Sequence, residues 1–307
     1  MHPFPKTIAI VGSGALGSYY GAKLARHGAD VRFLMRADLE AVRWAGLRVL
    51  EAGAEWTLQP ARTFASTAEI GPVDLVIIGL KTTANADLAR LIPPLLHEGT
   101  LLLTLQNGLG NEEFLAERWG AERVLGGLCF VCLNRISPGV IEHYGHGTLS
   151  IGEFRRSPMI RTRAIGAMFA AAGIETHGVE NLVTERWRKL VWNIPFNGLS
   201  IATGGRTCDR LLADEGLQAQ VRALMRETIA AAAALGHEIP ASFIDFQIER
   251  TLPMGAYKPS SMIDWQQGRA VEVESIWGEP WRQGRAAGAE LPRLEMLYHL
   301  LREVTMR

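Results

Sequence analysis

Apolar positions recur along this chain with two periods, and the alternation between them predicts the order of elements. Thr7-Ile8-Ala9-Ile10-Val11 is a β-branched run of strand character. Ser18 to His27 then reads as a helix, with Tyr20, Leu24 and Ala25 on one face and Gly28 as its stop. Asp30 to Met35 is the next strand, Asp38 to Ala45 a helix, and Leu47 to Leu50 and Glu55 to Gln59 are two short strands. Val73-Asp74-Leu75-Val76-Ile77-Ile78-Gly79-Leu80 is almost continuously apolar, as a parallel strand covered on both faces must be. A helix over Ala84 to Leu96 and a strand over Thr100 to Leu105 repeat the unit, which predicts a doubly wound α/β sheet. Gly127 to Leu133 follows as a strand, and the Gly-rich strands Val140 to His143 and Thr148 to Ile151 predict a hairpin appended to the sheet. Met159 to Ala172 is a helix and Ile174 to His177 a strand; beyond Glu180 the strand pattern disappears and the rest reads as helical.

The first strand breaks into Gly12-Ser13-Gly14-Ala15-Leu16-Gly17, glycines at G-x-G-x-x-G spacing between a strand and a helix. In that setting Gly12 makes the tight turn, Gly14 lets backbone approach a pyrophosphate, and Gly17 lets the helix pack on the sheet. The free N–H groups and positive dipole end of the helix face the phosphates. An incidental glycine turn is the plain alternative. The motif predicts a Rossmann-type dinucleotide domain over 1–180, with an all-helical domain over 181–307. Arg36, at the end of the second strand, is placed to bind a 2′-phosphate and so predicts NADP(H), although Asp38 nearby could turn inward as the acid of an NAD site.

Composition narrows the class. With 307 residues, 48% hydrophobic and 21% charged, the chain can support two domains with proper cores. Lys plus Arg and Asp plus Glu both total 32, which leaves no field to gather nucleic acid or an anionic membrane. No apolar run approaches the ~20 residues of a bilayer span, and the N-terminus lacks signal-peptide character, so a cytoplasmic location is expected. Cys129-Phe130-Val131-Cys132 has redox spacing but lies on a strand, where residues three apart face opposite ways; core packing is expected of both thiols. His143 and His146 lack a third ligand and read as hairpin surface residues, and no metal is expected.

In doubly wound sheets ligands bind beyond the carboxyl ends of the strands, where Lys81 and Asn107 stand. Each has a plainer reading, as a solvated cation and as half of a turn dipeptide. In the helical half, Lys189, Asn193 and Asn197 are spaced i, i+4, i+8 and form one polar stripe on a helix whose other faces carry Trp187, Leu190, Val191, Trp192 and Phe196. A buried ammonium and two carboxamides need partners. Either they form a structural hydrogen-bond network or they await a polar ligand. Pro195 removes one backbone bond within this helix.

These residues together resemble the ketopantoate reductase family, nearly end to end. The carriers are Gly12-Ser13-Gly14-Ala15-Leu16-Gly17, Leu80-Lys81, Gln106-Asn107-Gly108-Leu109-Gly110, Ile151-Gly152-Glu153, Trp187 with Lys189 through Asn193 and Asn197, Ser260-Ser261-Met262, Gly268-Arg269 and Glu272. The resemblance implies NADPH-dependent reduction of a branched 2-keto acid, 2-dehydropantoate to (R)-pantoate in pantothenate biosynthesis, with the site in the cleft between the domains. It implies Lys189 as general acid supported by Glu272, with Asn193, Asn197 and Ser261 holding the keto acid, Lys81 and Asn107 bordering cofactor and substrate, and Arg36 on the 2′-phosphate. It leaves room for a homodimer. The sequence departs from the family pattern in three places: Pro195 precedes Asn197 rather than following it, Thr207 stands for an asparagine, and Met262 to Glu272 is one residue shorter. These departures open a second reading, a D-2-hydroxyacid dehydrogenase for a related branched or aromatic 2-keto acid. A third is a non-catalytic NADP(H)-binding sensor.

Overall fold

A computed structural model describes residues 5–306. The chain forms two compact units, one ending at Gln106 and resuming over Asn111–Leu182, the other made of Asn107–Gly110 with everything from Val183 onward.

The first unit is built on one sheet of β1 (Thr7–Val11), β2 (Asp30–Leu34), β3 (Leu47–Glu51), β4 (Ala54–Leu58), β5 (Thr63–Phe64), β6 (Leu75–Ile78), β7 (Leu101–Thr104), β8 (Val124–Ser137), β9 (Val140–Glu153) and β10 (Thr176–Gly178). Its order is β4-β3-β9-β8-β7-β6-β1-β2-β5, with β10 beside β9. From β5 to β8 every pairing is parallel, as the apolar runs predict. Its helices are α1 (Ala15–Arg26), α2 (Leu39–Ala45), α3 (Thr67–Ile70), α4 (Asn85–Leu91), α5 (Asn111–Trp119) and α6 (Ile160–Ala171). The period of two assigns the central side chains to opposite faces. Ile8, Ile10, Leu75, Ile77 and Leu103 pack with Tyr20 and Leu24 of α1, whereas Ala9, Val11, Val76, Ile78 and Leu102 pack with Leu88 of α4 and Leu115 of α5. Full burial of each such aliphatic side chain is worth about 1.5–3 kcal/mol.

Three expectations need correction. The two Gly-rich strands are one 14-residue strand, β9, lying inside the sheet between an antiparallel β8 and a parallel β3. His146 has a φ of 54°, and the register shifts between Phe130 and Val131 and between Cys132 and Leu133, so a bulge imitates a turn in the sequence. His143 is not a surface residue; its ring nitrogen is 3.1 Å from Glu51, in a cluster with Tyr19 and Lys23. The helix expected over 84–96 stops at Leu91, because Pro93 and Pro94 have no N–H to continue it and a 3₁₀ turn takes over.

The second unit contains α7 (Leu182–Ala202), α8 (Cys208–Ala213), α9 (Glu215–Ala234), α10 (Phe243–Thr251), α11 (Ser260–Gln266), a π-helical turn at Glu274–Gly278, α12 (Glu279–Ala286) and α13 (Pro292–Thr305). Among the described residues it has no strand. Trp187, Leu190, Val191, Ile194 and Phe196 make α7 its central helix, packed with Leu224, Ile248, Met262, Trp277 and Leu294. No helix among the described residues is long and apolar enough to cross a membrane.

Candidate active site

The glycine turn owes each glycine to a different cause. Gly12 has a φ of +104°, and an added Cβ would lie 2.2 Å from the backbone nitrogen of Leu80. At Gly17 a Cβ would lie 2.2 Å from the carbonyl oxygen of Gly12, so the start of α1 closes directly on the turn. A Cβ at Gly14, by contrast, would meet nothing within 4 Å. The space beside Gly14 is therefore open, and no packing within the fold requires a glycine there. Gly14 is also the N-cap of α1 and no side chain caps the helix, so the first-turn N–H groups at Ala15, Leu16 and Gly17 keep the donor character that suits a pyrophosphate. The turn is tied to the end of β2 by the Ser13 hydroxyl, which donates to the carbonyl of Leu34 at 2.8 Å. Two residues beyond Leu34, the Arg36 side chain is exposed.

Asp38 is engaged within the fold. Its buried carboxylate accepts the guanidinium of Arg135 and, at 3.1 Å, the backbone N–H of Gly139, which fastens the start of α2 to the β8–β9 turn. Lys81 is exposed, at the N-cap of a 3₁₀ turn after β6.

Asn107 begins the four-residue stretch that belongs to the helical unit. Its base in the first unit is closed by Asn85, which accepts from Gln106 at 2.7 Å and donates to Asn111 at 3.1 Å. In the helical unit, half-buried Lys189 donates from Nζ to the side-chain oxygen of Asn107 at 2.9 Å. The polar stripe of α7 is thus joined at its first member by a residue 82 positions away. At its far end, Asn197 is 2% exposed, donates to the carbonyl of Asn193 at 3.1 Å, and accepts the backbone N–H of Ser261 at 2.9 Å. Pro259, the N-cap of α11, has no acceptor side chain, so Asn197 supplies the cap from another helix. This holds the backbone N–H of Ser261 satisfied within a buried residue. Glu272 is buried between α11 and the π-helical turn. Thr207 points its hydroxyl at Asp209 and holds that exposed carboxylate below its ordinary range.

Sequence reasoning missed the contacts that fix Asn107. Its neighbour Leu109 is buried in the helical core and donates its N–H to the carbonyl of Ser275 at 2.9 Å. The indole of Trp277 donates to the carbonyl of Ile194 on α7 at 2.9 Å. A π-helical turn has no period signal in sequence, so only the Gly at 108 hinted at a close approach.

Comparison with known proteins adds to this geometry. The family model described as "Ketopantoate reductase PanE/ApbA" matches residues 8–156, and its C-terminal companion, "Ketopantoate reductase PanE/ApbA C terminal", matches residues 181–305. A 2-dehydropantoate 2-reductase of Nostoc sp. is 40% identical over 299 residues, 96% of this chain and 93% of that protein. The crystal structure of 2-dehydropantoate 2-reductase from Geobacter metallireducens superposes with a TM-score of 0.94 at 46% identity, covering 97% of this chain and 100% of that one. The corresponding structure from Methylococcus capsulatus gives a TM-score of 0.90 at 33% identity over 98% of each chain.

Proposed function

This chain belongs to the ketopantoate reductase family, and from that premise we propose that it reduces 2-dehydropantoate to (R)-pantoate with NADPH in the cytoplasm. The observation that carries the chemistry is the 2.9 Å hydrogen bond from Lys189 to Asn107 beside the Asn193–Asn197–Ser261 chain. It presents an oriented ammonium in the same unit as the buried serine Ser261.

When bound, the nicotinamide supplies the hydride that reaches the ketone carbon. Lys189 gives a proton from Nζ to the ketone oxygen as negative charge develops there, and Asn107 keeps that Nζ aimed while it does so. Glu272 supplies the carboxylate that favours the protonated lysine. The Ser261 hydroxyl and the Asn193 carboxamide hold the keto acid, and Asn197 acts on it through Ser261. In the first unit, the turn Gly12 to Gly17 would hold the pyrophosphate, Arg36 the 2′-phosphate, and Lys81 would border the cofactor. Two facts support NADP(H) over NAD(H): Arg36 is exposed beyond β2, and Asp38 is fully engaged by Arg135 and Gly139.

The test is NADPH consumption by the purified protein over a panel of branched and aromatic 2-keto acids. Ketopantoate should give the highest kcat/KM. A higher value for another keto acid would move the substrate while keeping the chemistry, and binding of NADPH without turnover of any keto acid would overturn the proposal in favour of a sensor.

A further inference from the structure

The π-helical turn at Glu274–Gly278 touches both segments that carry the Lys189–Asn107 hydrogen bond, the 107–110 stretch and α7. On one side, the Ser275 carbonyl accepts the N–H of Leu109 at 2.9 Å. The approach is so close that a Cβ at Gly108 would lie 2.2 Å from that same oxygen and 2.7 Å from the Ser275 Cβ, and Gly108 also has a φ of +83°. No other residue type fits there without moving the loop. Leu109 then plugs the loop into the helical core, leaving Asn107 two residues upstream with little freedom. On the other side, fully buried Trp277 donates its indole N–H to the carbonyl of Ile194 at 2.9 Å, five residues along α7 from Lys189. α7 makes room for that indole with Gly198, where a Cβ would lie 2.8 Å from Trp277 Nε1. The turn is further braced by the N–H of Ile276, 3.2 Å from the carbonyl of Glu272. A regular α-helical turn would shift the Ser275 carbonyl and the Trp277 indole relative to each other, because a π turn inserts one extra residue between bonded groups.

We propose that this turn is the positioning device of the proton donor: Ser275 through Gly108 and Leu109, and Trp277 through Ile194, set Asn107 and Lys189 at bonding distance. The proposal rests on the reading of Lys189 as general acid, but the geometry it asserts can be tested without that reading. Gly108 and Trp277 are positioning residues: Gly108 acts on Lys189 through Asn107, and Trp277 acts through Ile194 on the helix that carries Lys189.

The experiment is a double-mutant cycle in the full-length protein between Gly108→Ala and Asn107→Ala, read in two ways. The first is kcat with NADPH and the preferred 2-keto acid. The second is the rate at which an amine-acylating reagent labels Lys189, read by peptide mass spectrometry, which needs no activity. Gly108→Ala should lower kcat roughly ten- to a hundred-fold, as a misplaced catalytic group does, with the KM for NADPH unchanged. Labelling of Lys189 should rise several-fold in the same variant. Adding Gly108→Ala to Asn107→Ala should change neither readout further, since coupled residues are not additive. Losses that multiply, or a Gly108→Ala protein with wild-type labelling, would overturn the proposal. If Gly108→Ala does not fold, Trp277→Phe keeps most of the ring, removes the indole N–H, and must show the same non-additivity with Asn107→Ala. A wild-type protein that reduces no 2-keto acid would refute the enzymatic reading alone, and the labelling cycle would still decide the clamp.

Discussion

Replacing Asn197 by alanine should destabilise the helical unit by about 1–2 kcal/mol, because it uncaps a helix remote in sequence. The Asn197 oxygen lies 2.9 Å from the backbone N–H of Ser261, and Asn197 is 2% exposed, so water has poor access to replace it. A buried donor left unsatisfied costs about 1–3 kcal/mol, and loss of an N-cap about 0.5–2 kcal/mol. Those ranges overlap at the value given, and the Asn193 carbonyl adds little because a helix backbone already supplies it with a donor. The assay is urea unfolding followed by tryptophan fluorescence, with Ser261→Ala as the control. Ser261→Ala keeps the N–H and loses only the hydroxyl, so its stability should stay within about 0.5 kcal/mol of wild type while the KM for the keto acid rises. An Asn197→Ala protein no less stable than Ser261→Ala would refute the capping argument.

Further outcomes follow from the first unit. Arg36→Ala should weaken NADPH binding roughly ten- to a hundred-fold, from loss of charge-assisted bonds of about 1.5–3 kcal/mol, and leave NADH affinity almost unchanged; equal weakening of both in titration calorimetry would show that Arg36 does not read the phosphate. Gly14→Ala should melt at the wild-type temperature, since its Cβ meets nothing within 4 Å, yet lose dinucleotide affinity; unchanged affinity would remove Gly14 from the phosphate site. Burial pushes the Glu51 carboxyl up, but hydrogen bonds from Tyr19, Lys23 and His143 outweigh it and hold its pKa below the ordinary value. A depressed folded pKa adds stability above the unfolded value of about 4.3 that is lost as the pH falls through the lower folded one. Glu51→Gln should therefore flatten the acid limb of a stability-against-pH curve, and an unaltered slope there would contradict the role given to this cluster.

The parallel half of the sheet was legible because its strands are buried on both faces and its glycines sit where a turn must be tight. Val73 to Leu80 and Gly12 to Gly17 carry that information locally. What stayed hidden depends on partners distant in sequence. A bulge at His146 and a turn look alike along a chain, so β9 was split in two. Asp38 reads locally as a ribose-binding alternative because nothing near it in sequence reveals Arg135, 97 residues on. Within the site, helical spacing aligned Lys189, Asn193 and Asn197, but it could not show that Asn107 would meet the first and the Ser261 backbone the last. Of the family signature Ile151-Gly152-Glu153, the last two are structural. A Cβ at Gly152 would crowd Val179 and Leu182, and the Glu153 carboxylate is held by Arg161 and Thr162 at the start of α6.

Single-turnover reduction of ketopantoate by Lys189→Ala tests the central claim most directly, since it isolates the chemical step from product release. The variant should bind NADPH with wild-type affinity while reduction slows about 10²–10⁴-fold, the usual contribution of a positioned general acid. Added small primary amines should restore part of the rate. A folded Lys189→Ala protein that reduces ketopantoate at a near wild-type rate would contradict the assignment of Lys189 as the proton donor.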